Sequence, residues 1–186
     1  LDSQVVDRLA NVIDGTLDAV LSSEEGGVTK EAGEGVLGAV LSIDSASSSI
    51  AKQQAKPSTP GENRSSQTAQ EAQRVQQQQA AEKVTKLTTK LGQAALNKID
   101  VGKKQTLRSV DSDGKGAIID LAKLSLVDTL ASGLDTGKLK VPSSAFSGAS
   151  SRRLQSPGCN AISIQQTDWL QSNPYSWADK LLGSNA

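Results

Sequence analysis

The chain contains 186 residues, of which 36% are hydrophobic but only 2% are aromatic, so any core must be built from Leu, Val, Ile and Ala. Its 20 Lys and Arg residues balance its 20 Asp and Glu residues, which gives no electrostatic reason to expect nucleic acid as a partner. It has no His and one cysteine, Cys159, which excludes serine triads, Cys–His nucleophiles and Cys/His zinc sites within it, so we expect no enzyme and no cofactor.

The first two predicted elements are helices. Apolar residues between Val5 and Leu21 recur every three or four positions, which is the spacing of one helix face. They are Val5, Val6, Leu9, Val12, Ile13, Leu17, Val20 and Leu21. After a break at residues 24–27, Thr29 is a suitable N-cap for a second helix that reaches toward Ile50. Three glycines weaken this second helix in isolation, so we expect packing on the first helix to sustain it.

An exposed polar loop is predicted near residues 56–66. The stretch KPSTPGENRSS contains two prolines and a glycine and has nothing to bury. Asn63 begins the triplet Asn-Arg-Ser, which satisfies the sequon for N-glycosylation of a secreted protein. Asn63 is therefore a candidate glycosylation site.

A long third helix is predicted from Gln67 to Lys98. Its first half is rich in Gln, Ala and Glu and nearly free of apolar residues, so we expect that half to project into solvent. The second half carries an apolar stripe at helical spacing, formed by Val84, Leu87, Leu91, Ala94 and Ala95. We expect this stripe to pack against the first two helices.

From Asp100 onward the pattern changes to short apolar segments, which favour strands. QTLRSV and AIIDLAKLSL flank a turn from Asp111 to Gly116, although AIIDLAKLSLVDTL also admits a helix. The turn has Asp at the first and third positions of a calcium-binding loop, but Lys115 stands at the fifth and Ala122 at the twelfth, where such a loop needs oxygen ligands. We therefore interpret it as a hairpin turn and predict no metal site.

Two further segments complete the predicted fold. KLKVPSSAF resembles a strand that ends at Pro142, and NAISIQQTDWL alternates apolar and polar residues over a short run. The predicted class is α+β, with a helical subdomain of three or more helices over residues 1–100. A strand-rich subdomain follows over residues 101–186, and we expect it to be an incomplete β-sandwich, the start of a larger one.

Three of the four aromatic residues lie close together in the sequence: Trp169, Tyr175 and Trp177. An aromatic cluster can form a platform for a ligand, but an anchor in a core or an interface accounts for this one better. We predict that these three residues are core or interface anchors.

The C-terminal part of the chain resembles a known family. From Ser109 to Ala186, a strand leading into VPSSAF, a polar loop and then ISIQQTDWLQSNPYSWA are similar to the region ahead of the membrane in polycystin-like proteins. In that family an REJ-type segment runs into a GAIN domain, whose helical subdomain precedes a β-sandwich subdomain. The stretch WLQSNPY, from Trp169 to Tyr175, is the most specific part of the resemblance. The Cys-flanked autoproteolysis site that ends a GAIN domain is not among these residues, so cleavage is not carried over to this chain.

The resemblance implies a non-enzymatic, extracellular structural and interaction module of a polycystin-like ciliary or flagellar membrane protein. It would tether or couple an extracellular assembly to a membrane channel, with a polycystin-type channel or an extracellular ciliary filament as protein partner. It would lie on the extracellular face of the plasma or ciliary membrane and reach that membrane through parts of the parent protein outside this chain. The alternative is a free-standing soluble helical bundle that binds a partner helix or lipid, in which AIIDLAKLSLVDTL would be helical.

Overall fold

Helices precede strands along the chain, so the predicted α+β class is confirmed. The structure is a computed structural model that describes residues 3–23, 26–54, 63–147, 160–171 and 174–175, without the side chains of 51–54, 63–70 and 73. The elements in chain order are α1 (Ser3–Ser22), α2 (Lys30–Gln54), α3 (Asn63–Asn97), β1 (Lys103–Val110), β2 (Gly116–Ser125), α4 (Leu126–Ser132), β3 (Leu134–Asp135), β4 (Lys140–Val141), α5 (Ser144–Ser147) and β5 (Ala161–Leu170).

The predicted bundle of three helices is confirmed, because α1 and α2 both pack against α3 and against each other. α1 buries one strip of residues at helical spacing: Val6, Ala10, Ile13 and Leu17. α2 begins directly after Thr29, whose hydroxyl accepts a hydrogen bond from the backbone N–H of Ala32 at 3.4 Å. Thr29 therefore acts as the predicted N-cap.

α3 begins four residues earlier than predicted. Residues 63–66 are helical, so the predicted loop over 56–66 is wrong for these four residues, while residues 56–62 lie outside the described part of the chain. The physical reason is that the helix breakers Pro57, Pro60 and Gly61 all precede Asn63, and nothing after them opposes a helix. The predicted apolar stripe of the second half is buried: Val84, Leu87, Leu91, Ala94 and Ala95.

β1, β2 and β5 form an antiparallel sheet in the order β1-β2-β5. β1 and β2 are joined by the predicted hairpin, in which Val110 pairs with Gly116. β2 covers GAIIDLAKLS, so the helical alternative for AIIDLAKLSLVDTL is wrong over most of its length. The change to helix comes at Ser125, whose side chain accepts a hydrogen bond from the N–H of Asp128 and so caps α4.

One continuous core joins the helices to the sheet. Buried residues of all three helices and of β1 and β2 belong to it, among them Leu17, Leu37, Leu91, Leu107, Ile119 and Leu121. A Cβ at Gly33 would lie 3.1 Å from a methyl carbon of Leu107, so the absence of a side chain there lets α2 approach β1 closely. The division into residues 1–100 and 101–186 stays a prediction, since a shared core couples the two parts.

A row of ion pairs ties α1 to α3. Lys83 Nζ lies 2.6 Å from a carboxylate oxygen of Asp7, and Lys90 Nζ lies 2.5 Å from Asp14 and 2.6 Å from Asp18. Residue numbers rise together along the row, so the two helices run parallel. The hydrogen bonds from Lys90 to Asp14 and Asp18 raise the pKa of the lysine.

Candidate functional site

Two of the three predicted aromatic anchors lie within the described residues and both connect the end of β5 to the helices. Trp169, on β5, is half-buried and packs against the core. Tyr175 is exposed, and its hydroxyl lies 2.7 Å from the hydroxyl of Thr85 on α3. Trp177 lies outside the described residues. The role of the three as anchors stays a prediction, and these contacts agree with it for Trp169 and Tyr175.

Asn63, the candidate glycosylation site, is the first residue of α3. Its backbone therefore starts a helix instead of continuing the predicted loop. Its side chain is outside what the structure describes, so glycosylation at Asn63 stays a prediction.

The turn between β1 and β2 is held by one of the aspartates that raised the question of calcium. The Asp111 carboxylate accepts hydrogen bonds from the backbone N–H groups of Asp113 and Lys115, both at 2.9 Å. Gly114 adopts a φ of 77°, which favours glycine. The turn thus uses Asp111 to satisfy its own backbone. Among the described residues, no group of three or more His, Cys, Asp or Glu side chains is placed to hold a metal ion.

A cleft of about 510 Å³ opens between α2 and this turn. Its α2 wall carries small residues, and its other wall carries Asp111 and Lys115. The Ser42 hydroxyl donates to the Gly38 carbonyl at 2.9 Å, and the Ser49 hydroxyl donates within α2 in the same way. The hydroxyls of Ser42 and Ser49 and the carboxylate of Asp111 are therefore engaged in bonds within their own segments.

The two outer strands of the sheet present different edges, and α2 occupies one outward backbone group of β1. The N–H of Arg108 points away from β2 and donates to Glu34 Oε1 on α2 at 3.3 Å. α2 packs against β1, and Lys103 and Lys104 occupy the first two positions of the strand. The contact from Glu34 and the edge lysines both disfavour the addition of another strand to β1.

Among the described residues, no strand covers the outer edge of β5, which we call the open edge of β5. The N–H of Leu126 donates to the carbonyl of Asn160 at 3.1 Å, and the register continues from there with even-numbered residues of β2 opposite even-numbered residues of β5. Even-numbered residues of β5 therefore bond to β2, and the backbone groups of Ser163, Gln165 and Thr167 point away from the sheet. Over the described ranges, no other strand pairs with this side of β5. The strand contains no Pro, Gly or Lys, the residues that commonly interrupt an edge.

The single charged residue of β5, Asp168, is already paired. Lys138, in the β3–β4 hairpin, contacts Asp168 and also lies 2.9 Å from Asp120 on β2. Hydrogen bonds to Asp168 and Asp120 raise the pKa of Lys138, and hydrogen bonds from Lys138 and Thr106 lower the pKa of Asp120. The hairpin is thereby held over the face of the sheet opposite the helices.

A second exposed surface, the α1 apolar face, consists of Val5, Leu9 and Val12. Their exposed fractions are 50%, 43% and 65%, and their spacing puts them on one side of α1. The sequence assigned them to one helix face together with Val6, Ile13 and Leu17, and only these last three are buried. The apolar part of α1 is wider than the strip that α2 and α3 cover.

Within the described residues, no helix combines the length and the apolar character needed to cross a membrane. Comparison with protein-family models, with curated proteins and with solved structures finds no match for this chain. The resemblance to polycystin-like proteins therefore stays a prediction that rests on residues 109–186.

Sequence reasoning missed the open edge of β5 and the Lys138 bridge. NAISIQQTDWL predicted the strand, but not its place at the end of the sheet, because that place depends on pairing with β2, whose partner residues are 36 to 54 positions away. A usable signal was the contrast between the lysines of β1 and the lack of Pro, Gly and Lys in β5.

Proposed function

We propose that this chain is a non-enzymatic structural and interaction module whose sheet accepts a strand from a protein partner at the open edge of β5. The observation that carries the proposal is the row of outward backbone groups at Ser163, Gln165 and Thr167 on a strand of ten residues. In strand addition, backbone hydrogen bonds supply affinity, and side chains alternating between the two faces supply specificity.

The side chains beside this edge suit an added strand. Ile162 and Ile164 are on the face opposite the helices, whereas Ser163 and Thr167 are on the helix face. An incoming strand can therefore place apolar side chains beside the isoleucines and small polar ones beside Ser163 and Thr167. Adding strands here would extend the sheet toward the larger sandwich predicted from the sequence.

The biological setting that we propose is the extracellular part of a polycystin-like ciliary or flagellar membrane protein. The module would tether or couple an extracellular assembly to a membrane channel, and its partner would be a polycystin-type channel or an extracellular ciliary filament. The support for this setting is the resemblance of residues 109–186 and the glycosylation sequon at Asn63. The parent protein would reach the membrane through segments outside this chain.

The test is a pair of substitutions at Thr167, whose N–H points out of the sheet. Thr167→Pro removes that donor without removing a bond to β2, whereas Thr167→Val keeps it. The binding partners are ciliary membrane proteins that are first captured on the immobilised chain and then purified. We expect their affinity for Thr167→Pro to be about tenfold lower than for the unchanged chain. One backbone hydrogen bond contributes about 1 kcal/mol, and in the variant its carbonyl partner is left unpaired. Equal binding by both variants, with unchanged circular dichroism, would contradict the proposal.

The α1 apolar face favours a second candidate function, the binding of a partner helix or a lipid surface. Val12→Asp would place a charge in the centre of this face, and Val127→Asp on α4 is a matched control, because the two valines are 65% and 74% exposed. Neither substitution disturbs the core. If only Val12→Asp loses binding to the partner helix or the lipid surface, this function is supported. If Val12→Asp and Val127→Asp bind equally well, it is rejected.

A further inference from the structure

We propose that the strand accepted at the open edge of β5 is β5 of a second copy of this chain, which runs antiparallel to it about a two-fold axis at Gln165. This inference rests on the proposed function, because both use the same edge. It goes further by naming the occupant and the register.

The register follows from the direction of the backbone groups. Only odd-numbered residues of β5 direct their N–H and C=O groups outward, so odd residues must face odd residues across the new pair. Centring the pair on Gln165 places Ser163 opposite Thr167 of the second copy and Ala161 opposite Trp169 of the second copy. This arrangement allows about ten backbone hydrogen bonds, and a shift by two residues loses about two of them.

No pair of charges opposes this register, but the two isoleucines meet polar side chains and not apolar ones. Ile164 meets Gln166 of the second copy, and Ile162 meets Asp168 of the second copy, so no two like charges face each other. Asp168 keeps its own partner, Lys138, on the face opposite the helices. The paired strands therefore bury no uncompensated charge.

The difference between the two edges favours a second copy over head-to-tail addition. The outward N–H of Arg108 on β1 is taken by Glu34 of α2, and β1 carries Lys103 and Lys104, so β1 of one molecule is a less favourable partner for β5 of another. Pairing β5 with β5 gives a six-stranded sheet that ends in β1 on both sides. The lysines and the contact from Glu34 disfavour a further strand at both ends, so we expect the assembly to stop at a dimer, as for a two-fold interface. A second copy also supplies a preformed strand of matching length.

The first measurement is the mass of the full chain in solution, for which we expect twice 19.3 kDa at high protein concentration. The second is disulfide cross-linking with Cys159→Ser in all variants. Gln165→Cys places two thiols across the axis, where Cα atoms of a hydrogen-bonded pair lie roughly 5.5 Å apart, within disulfide range. Ser163→Cys is the matched control, because its two copies would be offset by four residues, about 13 Å.

A dimer that cross-links through Gln165→Cys and not through Ser163→Cys supports the inference. A dimer with the opposite pattern, or one whose dissociation constant is unchanged by Thr167→Pro, overturns it, because the variant removes two of the about ten bonds at about 1 kcal/mol each. If the chain is a monomer, amide hydrogen exchange of Gln165 and Thr167 shows whether the edge of β5 is exposed. A monomer in which these amides exchange rapidly overturns the second copy as occupant but leaves a strand-accepting edge. A monomer in which they are protected means that the chain covers its own edge, which overturns both proposals.

Discussion

Replacement of Leu107 by Ala tests whether helices and sheet depend on one core. Leu107 lies on β1 and is fully buried, with its methyl groups against Gly33 of α2. Leu→Ala substitutions in cores cost about 2–5 kcal/mol, and the cost grows with the volume of the cavity that remains. The backbone of α2 at Gly33 belongs to a regular helix and cannot collapse into the gap. We therefore expect a loss of about 4 kcal/mol, a large share of the stability of a domain this size.

The assay is urea unfolding followed by two signals. Far-ultraviolet circular dichroism reports mainly α1, α2 and α3, and tryptophan fluorescence reports the end of β5 when Trp177→Phe is present in every variant, which leaves Trp169 alone. We expect both midpoints to fall together by about 2 M with an unchanged slope, for a slope near 2 kcal/mol/M. Coincident shifts would mean that the loss of one sheet residue destabilises the helices equally.

The control is Leu139→Ala, which removes the same atoms from an exposed position in the β3–β4 hairpin and should change stability by no more than about 0.5 kcal/mol. The reasoning fails if the fluorescence midpoint moves for Leu107→Ala while the dichroism midpoint stays in place. In that case residues 1–100 and 101–186 would be independently stable subdomains, and contacts across the core would contribute little to either.

Two further substitutions test local features. Asp44 is half-buried on α2, and burial raises its pKa above the ordinary value of 3.8. The charged form is therefore disfavoured in the folded state at pH 7, and this penalty vanishes below pH 3.8, where folded and unfolded states both hold the proton. Asp44→Asn should raise the urea midpoint at pH 7 and not near pH 3, and an equal effect at both would refute the cause. Gly133 has a φ of 85°, and an added Cβ would lie 2.6 Å from the Val141 carbonyl oxygen, so Gly133→Ala should cost about 1–3 kcal/mol in the same assay. The control is Gly137→Ala, because Gly137 has a φ of 91° and no atom lies within 4 Å of its added Cβ. This variant carries the backbone strain without the steric clash, so it should lose less stability than Gly133→Ala. Equal losses of stability in the two variants would contradict the role of the clash.

Features decided by a few consecutive residues could be predicted from the sequence. Thr29 caps α2 because a hydroxyl beside a helix start can reach the N–H three residues on, and this needs no distant partner. The hairpin at Asp111 is equally local, since the carboxylate and the glycine that make the turn lie within it. The order of helices and strands follows from such signals.

Features that depend on which other elements pack over a residue could not be predicted in the same way. Val5, Leu9 and Val12 look as apolar as Val6 and Ile13, and only the positions of α2 and α3 decide which of them is buried. The bridge from Lys138 to Asp120 and Asp168 spans three separate segments of the chain. Neither outcome has a periodic signature, because periodicity describes one element at a time.

The β1 edge of the sheet shows how local sequence features affect packing between distant elements. The glycines of α2 weaken an isolated helix, yet a Cβ at Gly33 would crowd Leu107, and one at Gly38 would lie 3.2 Å from the Ser109 hydroxyl. Without those side chains α2 lies close enough to β1 for Glu34 to accept the outward N–H of Arg108. α2 therefore occupies one outward backbone group of β1, which is why we propose strand addition at β5 and not at β1. Glycines that reduce the helix propensity of α2 thus determine how closely this helix approaches β1.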